Sequence, residues 1–100
     1  MQRIECSSLV LIGESGAKVS DIADLLVGDL VDDDGLKYQD LTMTTPLSLS
    51  VRPGNRLAVF DTAKKQQLCS FVVEGITTQV EGEQFLTING RNYIAFPKNP

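Results

Sequence analysis

Leu47-Ser48-Leu49-Ser50-Val51 alternates apolar and polar side chains over five positions, the period of a strand with one buried face. Arg52-Pro53-Gly54-Asn55 follows. Proline presets one backbone dihedral and glycine accepts the next, so this reads as a turn. Arg56 to Phe60 resumes as a strand, Asp61 to Lys65 is a polar turn, and Gln67 to Val73 is a longer strand. Ile76 to Val80 and Gln84 to Ile88 flank a turn at Glu81-Gly82-Glu83. Asn89-Gly90 then separates Leu86-Thr87-Ile88 from Arg91-Asn92-Tyr93-Ile94. Asn-Gly between strand-like runs is a strong short-range hairpin signal, because a type I′ turn needs positive φ at both central residues. The pattern therefore predicts an antiparallel meander of about five strands.

The first half patterns differently. Residues 3–12, rich in Ile, Val and Leu, predict one strand, and Gly13-Glu14-Ser15-Gly16 ends it as a turn. Residues 19–27 predict a short helix: Ser20 can cap it, and Asp21 and Asp24 sit where its dipole favours negative charge. Val19, Ile22, Ala23 and Leu26 share one face at helical spacing, and Gly28 is a natural stop. Asp29 to Gly35, containing Asp32-Asp33-Asp34, reads as an exposed acidic connector. Leu36 to Met43 reads as a further strand.

The expected fold is mainly β with one short helix, an α+β chain built on a small antiparallel barrel, meander or sandwich. Its strands are concentrated in residues 47–96, and 97–100 form a tail. At 100 residues the chain reads as one domain, with residues 1–46 supplying the strand, helix and acidic connector. Hydrophobic residues make up 42% of it, enough for a core.

Charge changes the picture. Thirteen acidic against nine basic residues give a net −4, which argues against general nucleic-acid affinity and against a polybasic membrane patch. The excess fits solubility or a basic protein partner. The longest apolar run near the N-terminus, Leu9 to Ile12, is too short for a signal peptide core or a membrane span. The expected location is therefore cytoplasmic or virion-associated. Cys6 and Cys69 lie in strand-like runs and read as buried thiols, with a disulfide between them left open. There is no histidine and no Cys-x-x-Cys pair, so neither a metal set nor a cofactor is expected.

Several motifs invite chemistry. Gly13-Glu14-Ser15-Gly16-Ala17 approaches the nucleophile elbow of esterases, but no histidine exists to take the serine proton. Gly13, Gly16 and Lys18 lack the spacing of a phosphate loop. Aligning Gly35 with the invariant glycine of an EF-hand puts Leu30 and Leu41 where oxygen ligands belong. Glu81 and Glu83 flank an expected hairpin tip, where carboxylates stay solvated.

The run from Leu11 to Ile22, with Ile12-Gly13-Glu14-Ser15-Gly16 at its centre, resembles the Ile-Gly-x-x-Gly core of KH nucleic-acid-binding domains. The resemblance implies a backbone clamp at Gly13 and Gly16 lying between two helices. It covers about a dozen residues and places Glu14 where the family is usually basic.

These readings favour a non-enzymatic protein-binding module, such as a small acidic inhibitor of a nucleic-acid-handling machine or an accessory component of a viral or secretion assembly. Asp29, Asp32, Asp33, Asp34 and Asp40 would meet basic residues on the partner, and an exposed edge strand would add pairing. The first alternative is RNA or single-stranded nucleic-acid binding through Gly13, Gly16 and Lys18, with Arg91 and Tyr93 as a stacking face. The second is a self-associating structural subunit.

Overall fold

The computed structural model describes residues 1–46, 51–79 and 85–97. They form nine strands: β1 (Gln2–Ile4), β2 (Leu9–Ile12), β3 (Lys18–Asp21), β4 (Asp24–Val27), β5 (Val31–Asp33), β6 (Leu36–Pro46), β7 (Arg56–Asp61), β8 (Gln66–Gln79) and β9 (Phe85–Ala95). All belong to one antiparallel sheet in the order β1-β4-β6-β9-β8-β7-β2-β3, with β5 beside β6. The sheet is open and coiled, not a hydrogen-bonded barrel. Its two ends approach through the two-residue corner Ile22-Ala23, where the Ala23 amide donates to Thr44 O at 2.8 Å.

The inward faces meet in a single core. Leu9 and Leu11 of β2, Leu25 of β4, Leu41 and Met43 of β6, Leu57 and Val59 of β7, Phe71 and Val73 of β8, and Ile88 of β9 are all buried in it. The alternation runs as a half-buried sheet requires. Bulges at Leu11/Ile12, Lys37/Tyr38, Val59/Phe60 and Val73/Gly75 interrupt the ladders and supply the local twist that coils the sheet.

The strands are not concentrated in the second half, because β1 to β6 all precede residue 47. The expected strand at 3–12 is two strands, since the chain turns at Ser7-Ser8 and the Leu9 amide donates to Cys6 O at 3.0 Å. The expected helix at 19–27 is absent, and no helix occurs among the described residues. That segment forms β3, the corner and β4. The side chains buried there are Ser20, Ile22 and Leu25, while Ala23, on the expected helix face, is exposed. A nine-residue helix gains little by itself. Extended, the same segment pairs with β2 on one side of the corner and with β1 and β6 on the other.

The acidic connector is not a loop throughout. Val31 to Asp33 pair with Leu36 to Tyr38, and Asp34-Gly35 closes the hairpin in two residues. Both turn residues have positive φ, 52° and 92°, as a type I′ turn demands. Asn89-Gly90, by contrast, makes no turn. β9 runs straight through it, pairing Asn89 with Thr42 and Gly90 with Leu41. Glycine is needed there for room: a Cβ at Gly90 would overlap the ring of Phe71.

The turn at Arg52 to Asn55 forms as read, with Gly54 at φ 91° and the Asn55 amide donating to Arg52 O at 3.1 Å. The polar turn after Asp61 also forms, and β8 begins at Gln66 and extends to Gln79. Most of the predicted strand at 47–51 and the turn at Glu81-Gly82-Glu83 lie outside the described residues.

Candidate functional site

The outward face of β8, β9 and β6 carries the densest group of chemically distinctive side chains. Direct cross-strand pairing sets Arg56, Val72, Arg91 and Asp40 in one row across four strands. One step along, Tyr38 and Tyr93 are paired. The tyrosine rings are 6.1 Å apart and tilted, and Phe96 stacks on Tyr93 at 5.4 Å. The Arg91 guanidinium lies 4.0 Å over the Tyr38 ring and bonds Asp40 Oδ1 through Nε at 2.9 Å. That bond to Asp40 pushes the Arg91 pKa further up, so the side chain is a fixed cation. The Tyr93 hydroxyl reaches towards Glu74 Oε1 at 3.5 Å.

The acidic hairpin adjoins this group. Val31 pairs with Tyr38, and Gly35 lies close to Pro97, the residue after Phe96: a Cβ at Gly35 would sit 3.4 Å from Pro97 Cα. The aromatic cluster and the Asp32 to Asp34 tip therefore lie side by side. Leu30 and Val31 remain exposed beside them, and Phe96 is 67% exposed. β5 is paired to β6 on one side only, leaving its other edge open among the described residues.

The five aspartates expected to meet a partner do not act alike. Asp40 is engaged by Arg91, and Asp29 pairs with the N-terminal amine at 3.1 Å. Asp32 accepts from the Gly35 amide at 3.1 Å and lies 4.0 Å from Lys37 Nζ. Asp33 and Asp34 make no ion pair among the described residues and project at the tip.

The alternative set divides too. Arg91 and Tyr93 share the aromatic cluster. Gly13 and Gly16 belong to the turn between β2 and β3, where the Gly13 amide donates to Ala17 O and the Gly16 amide to Gly13 O, both at 3.0 Å, and Lys18 opens β3. Those amides are committed to the turn, and the flanking helices that the KH resemblance implies are strands. Lys18 pairs with Asp21 at 2.8 Å. Arg56 escaped the sequence reading, although its place at the start of a strand, opposite in phase to buried Leu57, could have shown it as an outward cation.

Cys6 and Cys69 are free thiols, not a disulfide. Burial pushes both up from their ordinary pKa, Cys69 by burial alone and Cys6 with help from Asp24 and Glu5. Among the described residues no three metal-ligating side chains gather, and no helix is long and apolar enough to cross a membrane. Comparison with protein-family models, with curated proteins and with solved structures gives no match.

Proposed function

We propose that the chain is a non-enzymatic protein-binding module that docks through the face joining the aromatic cluster to the acidic hairpin. The observation that carries this reading is the close approach of Gly35 to Pro97, which sets the Asp32 to Asp34 tip beside the group of Tyr38, Tyr93, Phe96 and Arg91. Aromatic residues and arginine are the side chains enriched at the centres of protein interfaces. Acidic groups beside them steer a basic partner and set its register. The open edge of β5 offers main-chain donors and acceptors for an added strand. Nucleic acid is the weaker occupant, because Asp40 neutralises Arg91 and three aspartates stand at the rim.

The test is affinity capture from a lysate of the source organism, with and without nuclease. A variant with Asp32, Asp33 and Asp34 changed to Asn and a Tyr93→Ala, Phe96→Ala variant run beside it. A protein partner that survives nuclease and is lost from both variants is the expected result. Recovery of nucleic acid, or loss of every partner after nuclease, overturns the reading.

A further inference from the structure

The hollow face of the sheet continues past its packed core. Leu41 and Gly90 are the last inward pair on β6 and β9 that closes on the core, and the next inward pair is Gln39 and Asn92. There a cavity of about 190 Å³ opens between the strands. Ile4, Leu25, Val27, Leu41 and Val59 form its wall. Gln39 and Asn92 place two carboxamides in that wall, and Leu68 and Cys69 of β8 complete it. Among the described residues no charged side chain lines the cavity. Exposed apolar side chains lie on the same strands. Leu68 is 46% exposed, and Ile94, two residues beyond Asn92 on the same face of β9, is 54% exposed.

A pocket lined mostly by aliphatic side chains with a few polar groups suits a small apolar group. This one is smaller than the 300–1,000 Å³ usual for metabolites or cofactors. The absence of charge excludes an ionic occupant, which would be desolvated without a partner. What fits is one leucine- or phenylalanine-sized group. The carboxamides add donors and acceptors, and Gln39 Nε2 already donates to a backbone carbonyl, that of Gly28, at 3.4 Å. A peptide amide flanking the inserted group would find matching partners there. Gln39 and Asn92 adjoin Tyr38 and Tyr93 in sequence, so the cavity lies at the same end of the sheet as the aromatic cluster, on its other face.

We propose that this cavity is an anchor pocket for one neutral apolar side chain of the protein partner, with Gln39 and Asn92 bonding the adjoining backbone amide. The proposal rests on the protein-binding reading but is tested without the partner. The probes are N-acetyl-leucinamide and N-acetyl-phenylalaninamide, with N-acetyl-lysinamide as the charged control, titrated into methyl-labelled protein and followed by NMR. A ligand of this size binds with a Kd on the order of 10 mM. The expected result is saturable shifts of the Leu25, Val27, Leu41 and Val59 methyls with the two apolar probes and none with the lysine amide. Cys69→Phe fills the cavity and abolishes the shifts. Leu68→Ser, at an exposed position that leaves the fold intact, weakens binding roughly threefold by removing rim contact. Shifts that fail to saturate, an equal response to the lysine amide, or unchanged binding in Leu68→Ser overturns the pocket. Such a failure leaves the docking face standing if capture still depends on the acidic and aromatic residues. Loss of that dependence sinks the docking face whatever the probes do.

Discussion

Gly90→Ala is the sharpest test of how β9 runs. Gly90 pairs with Leu41 on one side and Val73 on the other, and among the described residues the positive-φ glycines are Gly16, Gly35 and Gly54. Backbone conformation therefore does not require glycine at this position. Space does. A Cβ placed there falls within contact of Cδ2, Cε2 and Cγ of Phe71, a ring that is 2% exposed and held by the core. Forcing a methyl into such a core costs about 1–3 kcal/mol. The alanine also restricts the unfolded chain, which offsets roughly 0.4–1 kcal/mol. The net expectation is a loss of about 1–2 kcal/mol. In urea, with a slope of about 1–2 kcal/mol/M, the midpoint falls by roughly 1 M.

The same substitution in a Phe71→Leu background isolates the cause. Phe71→Leu alone costs roughly 1–2 kcal/mol in lost apolar contact. With the ring gone the added methyl has room, so Gly90→Ala becomes neutral or mildly stabilising, and the double-mutant cycle shows a coupling well above the roughly 0.5 kcal/mol of independent sites. If Asn89-Gly90 were instead a type I′ turn, alanine would be penalised by its own backbone whatever residue 71 was. Equal costs in the two backgrounds would refute the steric account and restore the turn.

Gly35→Ala behaves in the opposite way: its φ of 92° carries the penalty, so it costs about 1 kcal/mol, or roughly 4–8 °C in Tm, whatever its neighbours, and no Tm change would refute the I′ turn. Arg91→Ala loses an ion pair with a half-exposed carboxylate, worth at most about 1 kcal/mol, and a cation–π contact worth roughly 0.5–1 kcal/mol. In a cycle with Asp40→Asn, the ion-pair share should shrink in 1 M salt while the remainder persists; a salt-independent coupling counts against this split. Asp61 accepts hydrogen bonds from the Lys64 and Ala63 amides and the Ser8 hydroxyl, which hold its carboxyl below the usual value. The unfolded chain therefore takes up the proton first as pH falls. Stability from this group is complete above the unfolded pKa, near 4, and is lost as pH drops through the folded value. Denaturation of Asp61→Asn across pH 3–7 should show a flatter acid limb than the parent, and parallel limbs would refute the linkage.

In the second half, β7 and the first part of β8 were legible because alternation and turn chemistry agreed, whereas the strands expected at 67–73 and 76–80 belong to the single strand β8 and those expected on either side of Asn89-Gly90 to the single strand β9. Gly54 takes the positive φ that the Arg52-Pro53-Gly54-Asn55 turn asks of it, and Leu57, Val59, Phe71 and Val73 alternate inward along the two strands that follow. The first half misled because local signals conflicted with pairings formed far along the chain. Ser20, Asp21 and Asp24 satisfy every local rule for a helix start. In the structure Ser20 is buried at a sheet corner and its hydroxyl donates to Asp21 O at 2.9 Å. The two glycine dipeptides show the same limit. Asp34-Gly35 and Asn89-Gly90 carry the same turn signal, yet only the first turns, because nothing local records that Phe71 packs on Gly90. Charge hid the first: a row of aspartates reads as a solvated loop, although Asp32 and Asp33 stand in a paired strand.

Charge also misdirects when it is summed. A net −4 suggests a basic partner, and five aspartates between residues 29 and 40 suggest where it binds. The fold sets several of those charges against cations of its own: Asp29 meets the N-terminal amine, Asp40 meets Arg91, and Asp32 leans towards Lys37. What remains for an outside partner is the tip, Asp33 and Asp34, backed by rings that a charge count cannot register. Under the proposed reading, steering and anchoring are therefore separable. Neutralising the tip should slow association and steepen no other effect, because exposed rim charges act on encounter. Removing Tyr93 and Phe96 should speed dissociation, because buried aromatic contacts hold the complex once it has formed. Association and dissociation rates measured on the captured partner decide this. Dissociation that quickens in the aspartate variant alone would show that the acids, not the rings, form the anchor.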